Sequence, residues 1–234
     1  STHENSSAAS DVYKRQRTLP QGGMSGDYLL PRIATPEDPL RLAVLISGGG
    51  SGLKALLRHQ SNGRVSHVTS LVISDVESAD GLKHASDSSV NHLSIPPPGE
   101  MKGIKRRLEH ERRIMEALAT HDIEMVVLSG YMRVLTPSFV SNWKGRMVNI
   151  HPSLLPAFPG AHAQRDAIDS GAKETGCTVH FVDEGVDTGA IIQQKKVPIL
   201  PNDTLETLTA RIKEEEHDLY PKVLDDISSG KISV

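Results

Sequence analysis

The sequence predicts a single α/β domain: a mostly parallel twisted sheet with helices on both faces and an antiparallel extension toward its C-terminal side. Three observations predict it. Short continuous apolar runs such as Leu42–Ile46 and Met125–Leu128, with Val68–Ile73 repeating the strand signal, alternate with stretches of helical spacing. Runs that are apolar throughout, rather than at every second position, are strands covered on both faces, as in parallel sheets. Later, two strand-like runs are separated by only a short loop, which suits antiparallel pairing.

The elements follow in order. Ser1 to Pro36 is rich in Ser, Gly, Pro and charge and has no apolar period. Residues 1–38 are therefore expected to be a disordered N-terminal tail, ahead of a catalytic domain at 39–234. The tail lacks the apolar centre of a secretory signal, and Glu4, Asp11 and Asp27 weigh against an organelle transit peptide. Strand Leu42–Ile46 runs through the turn Ser47-Gly48-Gly49-Gly50-Ser51-Gly52 into a helix at Leu53–His59. Strand Val68–Ile73, helix Gly81–Ser88 and a weaker strand Asn91–Ile95 lead to the break Pro96-Pro97-Pro98. Ile104–Thr120 is charged and amphipathic, a helix; Met125–Leu128 and Arg146–Ile150 are the next strands. Ala163–Ser170 reads as a helix. Cys177–Val182 and Ile191–Val197 read as the antiparallel pair, and Leu205–Ile227 as a long helix capped by Asp203 or Thr204. There is no internal repeat and no sign of a second domain.

Bulk properties narrow the function. The chain has 234 residues and a net charge of −3, so it carries no excess of positive charge to attract nucleic acid or a membrane surface. No apolar run reaches the length of a membrane span. A lone cysteine, Cys177, allows no internal disulfide. The expectation is a cytoplasmic protein with small-molecule partners. Neither a His-Glu-x-x-His pattern nor a cysteine pair occurs, and the histidines are scattered, so no metal is expected.

Asn149, His151 and Asp187 are candidates for acyl-transfer chemistry, against the plainer reading of His151 as a structural or merely exposed histidine at a strand end. An amide can bind a developing oxyanion, an imidazole can shuttle a proton, and a carboxylate can orient that imidazole and stabilise its charged form. Asn149 and His151 are two residues apart, so at a strand end they leave on one face. Pro152, Pro156 and Pro159 stiffen the loop that follows, and Gly185 and Gly189 flank Asp187. Spacing alone does not bring Asp187 to His151. The turn 47–52 either cradles a phosphate with backbone N–H groups or is only a strand-to-helix connection. It is neither a P-loop nor a good dinucleotide fingerprint, although Asp75 stands where a ribose-binding acid could be argued. His180 alternates with Thr178 onto one strand face and is either a satisfied structural histidine or part of a site. Lys102, Lys105, Arg106, Arg107, Arg112 and Arg113, balanced by Glu109 and Glu111, read as a solvated helix face.

Taken together, several segments resemble the phosphoribosylglycinamide formyltransferase family, the folate-dependent glycinamide ribonucleotide transformylases of purine synthesis. They are Leu45-Ile46-Ser47-Gly48-x-Gly50-Ser51, Gly130-Tyr131-Met132-Arg133-Val134-Leu135, Asn149-Ile150-His151-Pro152-Ser153-Leu154-Leu155-Pro156 and Thr178-Val179-His180-Phe181-Val182. Gln194-x-Lys196-Val197-Pro198 and Glu216-His217-x-x-Tyr220-Pro221 continue the likeness, which spans about Leu42 to Ile232. The resemblance implies the formyltransferase fold and 10-formyltetrahydrofolate as co-substrate. It implies a catalytic trio of Asn149, His151 and Asp187. Gly50, Ser51 and Gly52 would hold the phosphate of the ribonucleotide, with Glu216 contacting the same substrate. Arg107, Met132, Arg133, Val134, Leu135, Asn149 and Val186 would line the folate site. One departure is plain: the family usually has asparagine at position 52, and this chain has Gly52.

The implied reaction is formyl transfer to the amine of glycinamide ribonucleotide through a tetrahedral intermediate, by a monomer or weak homodimer. Relatives with other acceptors fit less well. A methionyl-tRNA formyltransferase would need a further nucleic-acid-binding domain, and a formyltetrahydrofolate deformylase usually carries a regulatory domain ahead of the catalytic one. A non-catalytic nucleotide-binding module would leave the trio without a purpose.

Overall fold

The computed structural model describes residues 21–25 and 28–233. A two-stranded hairpin, β1 (Gln21–Ser25) and β2 (Tyr28–Pro31), precedes the main sheet. Next come β3 (Leu40–Ile46), α1 (Ser51–Asn62), β4 (His67–Ser74), α2 (Asp80–Asp87), β5 (Asn91–Ser94) and α3 (Gly103–Thr120). The second half adds β6 (Met125–Leu128), α4 (Pro137–Asn142), β7 (Met147–His151), α5 (Ala163–Asp169), β8 (Glu174–Phe181), β9 (Ile191–Pro198) and α6 (Leu205–Ser228).

The seven main strands lie in the order β5-β4-β3-β6-β7-β8-β9. Pairings from β5 through β7 are parallel, and β8 and β9 are added antiparallel. The strand order reverses between β3 and β6. Ligands of such sheets enter at that switch point, beyond the carboxyl ends of the strands.

Period-two alternation along β3 feeds two cores. Leu42, Val44 and Ile46 face α1 and α6, meeting Leu53, Leu56, Leu208, Ile212 and Leu224. Ala43 and Leu45 face the other way, toward Ile114 and Leu118 of α3 and Phe139, Val140 and Trp143 around α4. Burial on both faces is why β3 and β6 read as unbroken apolar runs. By contrast β5, at an edge, is exposed throughout, which explains its weak signal.

Two expectations need correction. Residues 1–38 are not disordered throughout: β1 and β2 pair, and the segment from Tyr28 is fastened to the domain. The Tyr28 ring lies 5.2 Å from that of Phe181, and Ala34 N–H donates to the Ser228 carbonyl at 2.8 Å. Arg32 Nε meets Glu124 Oε1 at 2.6 Å, on a glutamate whose side chain is almost fully buried. Composition missed this because the segment is held by side chains far off in sequence. The first twenty residues lie outside those described. Helix α4 was also missed. It is only six residues long, but Thr136 caps it by accepting from Phe139 N–H, and Pro137 opens it. The cap of α6 is Thr204, in a reciprocal box with Thr207; Asp203 instead accepts from Leu200 N–H and pairs with Arg211.

Candidate active site

The carboxyl ends of β3, β6 and β7 open into one cavity of about 630 Å³, within the usual size of a small-molecule site. One wall is the turn that joins β3 to α1. Gly50, the N-cap residue of α1, has φ +64°, and a Cβ there would come within 2.7 Å of Gly81 Cα. Only glycine meets both demands. No side chain caps α1, so the first-turn N–H groups and the positive end of the helix face the cavity, an arrangement suited to an anion. Glu216 and Lys213 of α6 line the same region. Burial pushes the half-buried Glu216 carboxyl up to about 7, against a smaller opposing pull from Lys213.

The opposite wall is made of side chains, and the antiparallel register of β7 and β8 explains it. Asn149 pairs across with His180 and His151 with Thr178, so all four project to the same side of the sheet. Asn149 Nδ2 lies 3.2 Å from His180 Nε2, while His180 Nδ1 donates to the Phe181 carbonyl at 2.9 Å. Asp187 joins from the loop after β8, at φ +55°, a conformation that aspartate tolerates better than most residues. Its Oδ2 is 3.3 Å from His151 Nδ1 and its Oδ1 is 3.7 Å from His180 Nε2. The Gly160 N–H also donates to it at 2.8 Å. Burial by itself would raise the Asp187 carboxyl. The neighbouring His180 ring, the Gly160 amide and His151 outweigh it, and the net effect is a lowered value.

His151 Nε2 lies 2.9 Å from the Phe158 carbonyl. Both ring nitrogens therefore face acceptors, and the imidazolium form donates on both sides. The loop beyond His151 is braced from outside. Thr178 Oγ1 donates to the Ser153 carbonyl at 2.6 Å and accepts from Leu155 N–H and Gln194 Nε2. A site held this firmly is preorganised.

The cavity gathers Gly50, Ser51, Gly52, Met132, Arg133, Val134, Leu135, Asn149, His151, Val186, Asp187 and Glu216. Arg107 is not among its lining residues; it lies half-buried on α3. Arg133 is turned partly toward Asp75, at 3.4 Å, and Asp75 does not line the cavity. His180 lines the same cavity, brought beside Asn149 by the antiparallel register. Cys177 is fully buried, and desolvation pushes its thiol up to about 12, so it is inert.

Among the described residues, one set of metal-ligating types converges: His59, His67 and Asp225, far apart in sequence. It lies at the amino end of β4, away from the cavity. Gln60 Nε2 donates to His67 Nδ1 at 2.8 Å, and its own Oε1 accepts from Thr69 N–H. That leaves the His67 proton on Nε2, donating to Asp225 at 3.0 Å. The set is already saturated by hydrogen bonds that tie α1, β4 and α6 together.

Comparison with known proteins agrees with this geometry. The formyl transferase family pattern matches residues 40–224. The phosphoribosylglycinamide formyltransferase of Escherichia coli K12 is 35% identical over 196 residues, covering 83% of this chain and 90% of that protein. The trifunctional purine biosynthetic protein adenosine-3 of Drosophila pseudoobscura pseudoobscura is 45% identical over 195 residues, 82% of this chain. The chain spans only 14% of that relative's length. The crystal structure of glycinamide ribonucleotide transformylase 1 from Symbiobacterium toebii superposes with a TM-score of 0.80 at 41% identity, covering 84% of this chain and 91% of that one. With its trio, glycine-rich turn and mixed sheet in place, the chain belongs to the formyl transferase family.

Proposed function

We propose that this protein transfers the formyl group of 10-formyltetrahydrofolate to the amine of glycinamide ribonucleotide. One observation carries the reading: Asn149, His151, His180 and Asp187 converge at the end of β7, in a cavity whose facing wall suits an anion. The separation of functions fits a phosphorylated acceptor and a folate donor. The turn 50–52 and Glu216 hold the ribonucleotide. Met132 to Leu135 and Val186 line the region for the pterin; Met132, Val134 and Val186 are exposed apolar side chains at its mouth, as expected of surface awaiting a flat ligand.

In this mechanism the amine nitrogen attacks the formyl carbon. A carbon–nitrogen bond forms, and the carbonyl electron pair moves to oxygen. Asn149 Nδ2 and the His151 imidazolium donate to that oxyanion, with His151 Nε2 exchanging the Phe158 carbonyl for it. Asp187 holds His151 by Nδ1 and, directly or through water, takes a proton from the attacking nitrogen. That proton reaches the folate nitrogen as its bond to carbon breaks and the electron pair returns to it. The reading assigns no step to a metal. It also places the enzyme in the cytoplasm as a monomer or weak dimer acting on small molecules.

The test is to incubate the protein with 10-formyltetrahydrofolate, with and without glycinamide ribonucleotide. Folate release that needs the ribonucleotide supports transfer; release without it means hydrolysis and overturns the proposal. His151→Ala should lower kcat by about 10²–10⁴-fold, and near-normal turnover would remove His151 from the mechanism.

A further inference from the structure

We infer that Ser129 is a phosphate-binding residue, supplying from the end of β6 a hydroxyl donor beside Gly52. The inference rests on the reading of the glycine-rich turn as the phosphate-holding wall.

Ser129 directly follows β6. Its backbone N–H donates to the Leu45 carbonyl at 3.0 Å, which fixes the residue against β3 at the switch point. Its hydroxyl makes no hydrogen bond to the protein among the described residues, and Ser129 lines the cavity. A Cβ on Gly52 would come within 2.5 Å of Ser129 Oγ. The hydroxyl therefore occupies the space that a side chain at position 52 would need.

The direction of that space matters. Helical Cα–Cβ bonds tilt toward the helix N-terminus. An oxygen lying along that bond at the second residue of α1 stands beside the uncapped N–H groups of the first turn. An anion seated on those groups is within reach of Ser129 O–H, which can donate to it while the backbone amides hold its other oxygens. The bare backbone at position 52 is thus complemented from the neighbouring strand end. Position 52 and position 129 share one volume: a side chain at 52 would meet the Ser129 hydroxyl, and because the Ser129 Cβ lies 3.9 Å away, a turn of the serine would accommodate it and carry the donor away from the first turn.

The experiment measures steady-state kinetics and phosphate binding. Ser129→Ala should raise KM for glycinamide ribonucleotide about tenfold, the worth of one hydrogen bond to a charged group, with kcat and KM for the formyl folate within about twofold. Glycinamide riboside, which lacks the phosphate, should react equally with wild type and Ser129→Ala. An unchanged KM in Ser129→Ala, or an equal loss with the riboside, overturns the inference. Calorimetric titration with ribose 5-phosphate separates it from the proposed function. If wild type fails to use glycinamide ribonucleotide but Ser129→Ala still weakens ribose 5-phosphate about tenfold, the phosphate contact stands and the acceptor is a different phosphorylated amine. Equal binding by wild type and variant overturns it.

Discussion

On one wall of the cavity the turn 47–52 offers backbone: glycines, unsatisfied first-turn N–H groups and a helix dipole. On the other, Asn149, His151, His180 and Asp187 offer side chains, drawn from two antiparallel strands and a loop. In the proposed reaction the first wall would recognise a charge that is present before and after the chemistry. The second would respond to charge that appears only in the transition state. Differential binding of that kind needs groups aimed to within fractions of an ångström, and here Thr178 and Gln194 fix the loop that aims them. The difference predicts that substitutions on the side-chain wall strike kcat, and that those on the backbone wall strike KM.

Asp187→Asn is the largest expected break. It keeps the shape but removes the charge that holds His151 Nδ1, and kcat should fall by about 10²–10⁴-fold with KM for both substrates little changed. The pH behaviour adds a second readout. The folded-state value of Asp187 is lowered from 3.8. Its contribution to stability is therefore in place above that ordinary value and is lost as pH falls through the lowered one. Urea denaturation of the variant should lack that part of the wild-type acid slope. A variant with normal kcat would place the catalytic charge elsewhere.

The same contrast governs what could be read from sequence. The backbone wall is local: strand, glycine turn and helix follow one another within a dozen residues, so the turn was legible without the fold. The side-chain wall is not local. Asn149 and His151 share a face by simple alternation, but His180 joins them only through the β7–β8 register, and Asp187 only because a loop returns to them. Asp187 was supplied by family resemblance, not by spacing. Arg107, a folate-site residue by resemblance, lies on α3 and does not line the cavity. The failure at the N-terminal segment has the same origin. The ordering of residues 28–38 depends on Glu124, Phe181 and Ser228, partners no local pattern announces.

Glu216→Gln probes the border between the walls and should give a smaller effect. Its carboxyl, at about 7 in the folded protein, ordinarily sits at 4.5. A raised folded value for an acid means the folded state holds the proton more tightly. Wild-type stability should therefore decline as pH rises from about 4.5 through about 7. Gln at 216 removes that decline and should gain about 1–3 kcal/mol at pH 8, measured by urea denaturation. The same change should raise KM for the ribonucleotide about tenfold with little effect on kcat. Loss of stability at pH 8 would mean that the carboxylate is compensated there.

Ser51→Ala should give the smallest effect. The Ser51 hydroxyl lies 3.2 Å from His217 Nε2, a contact between α1 and α6 rather than a support for the first-turn amides. Alanine keeps the backbone N–H and the helix, and it is an even better helix former than serine. If the wall binds through backbone, KM for glycinamide ribonucleotide should rise by less than about tenfold, below the worth of a hydrogen bond to a charged group. Ribose 5-phosphate titration should show the same modest change. A rise of a hundredfold or more would mean that side chains carry recognition on both walls, and the division of labour drawn from the structure would fall.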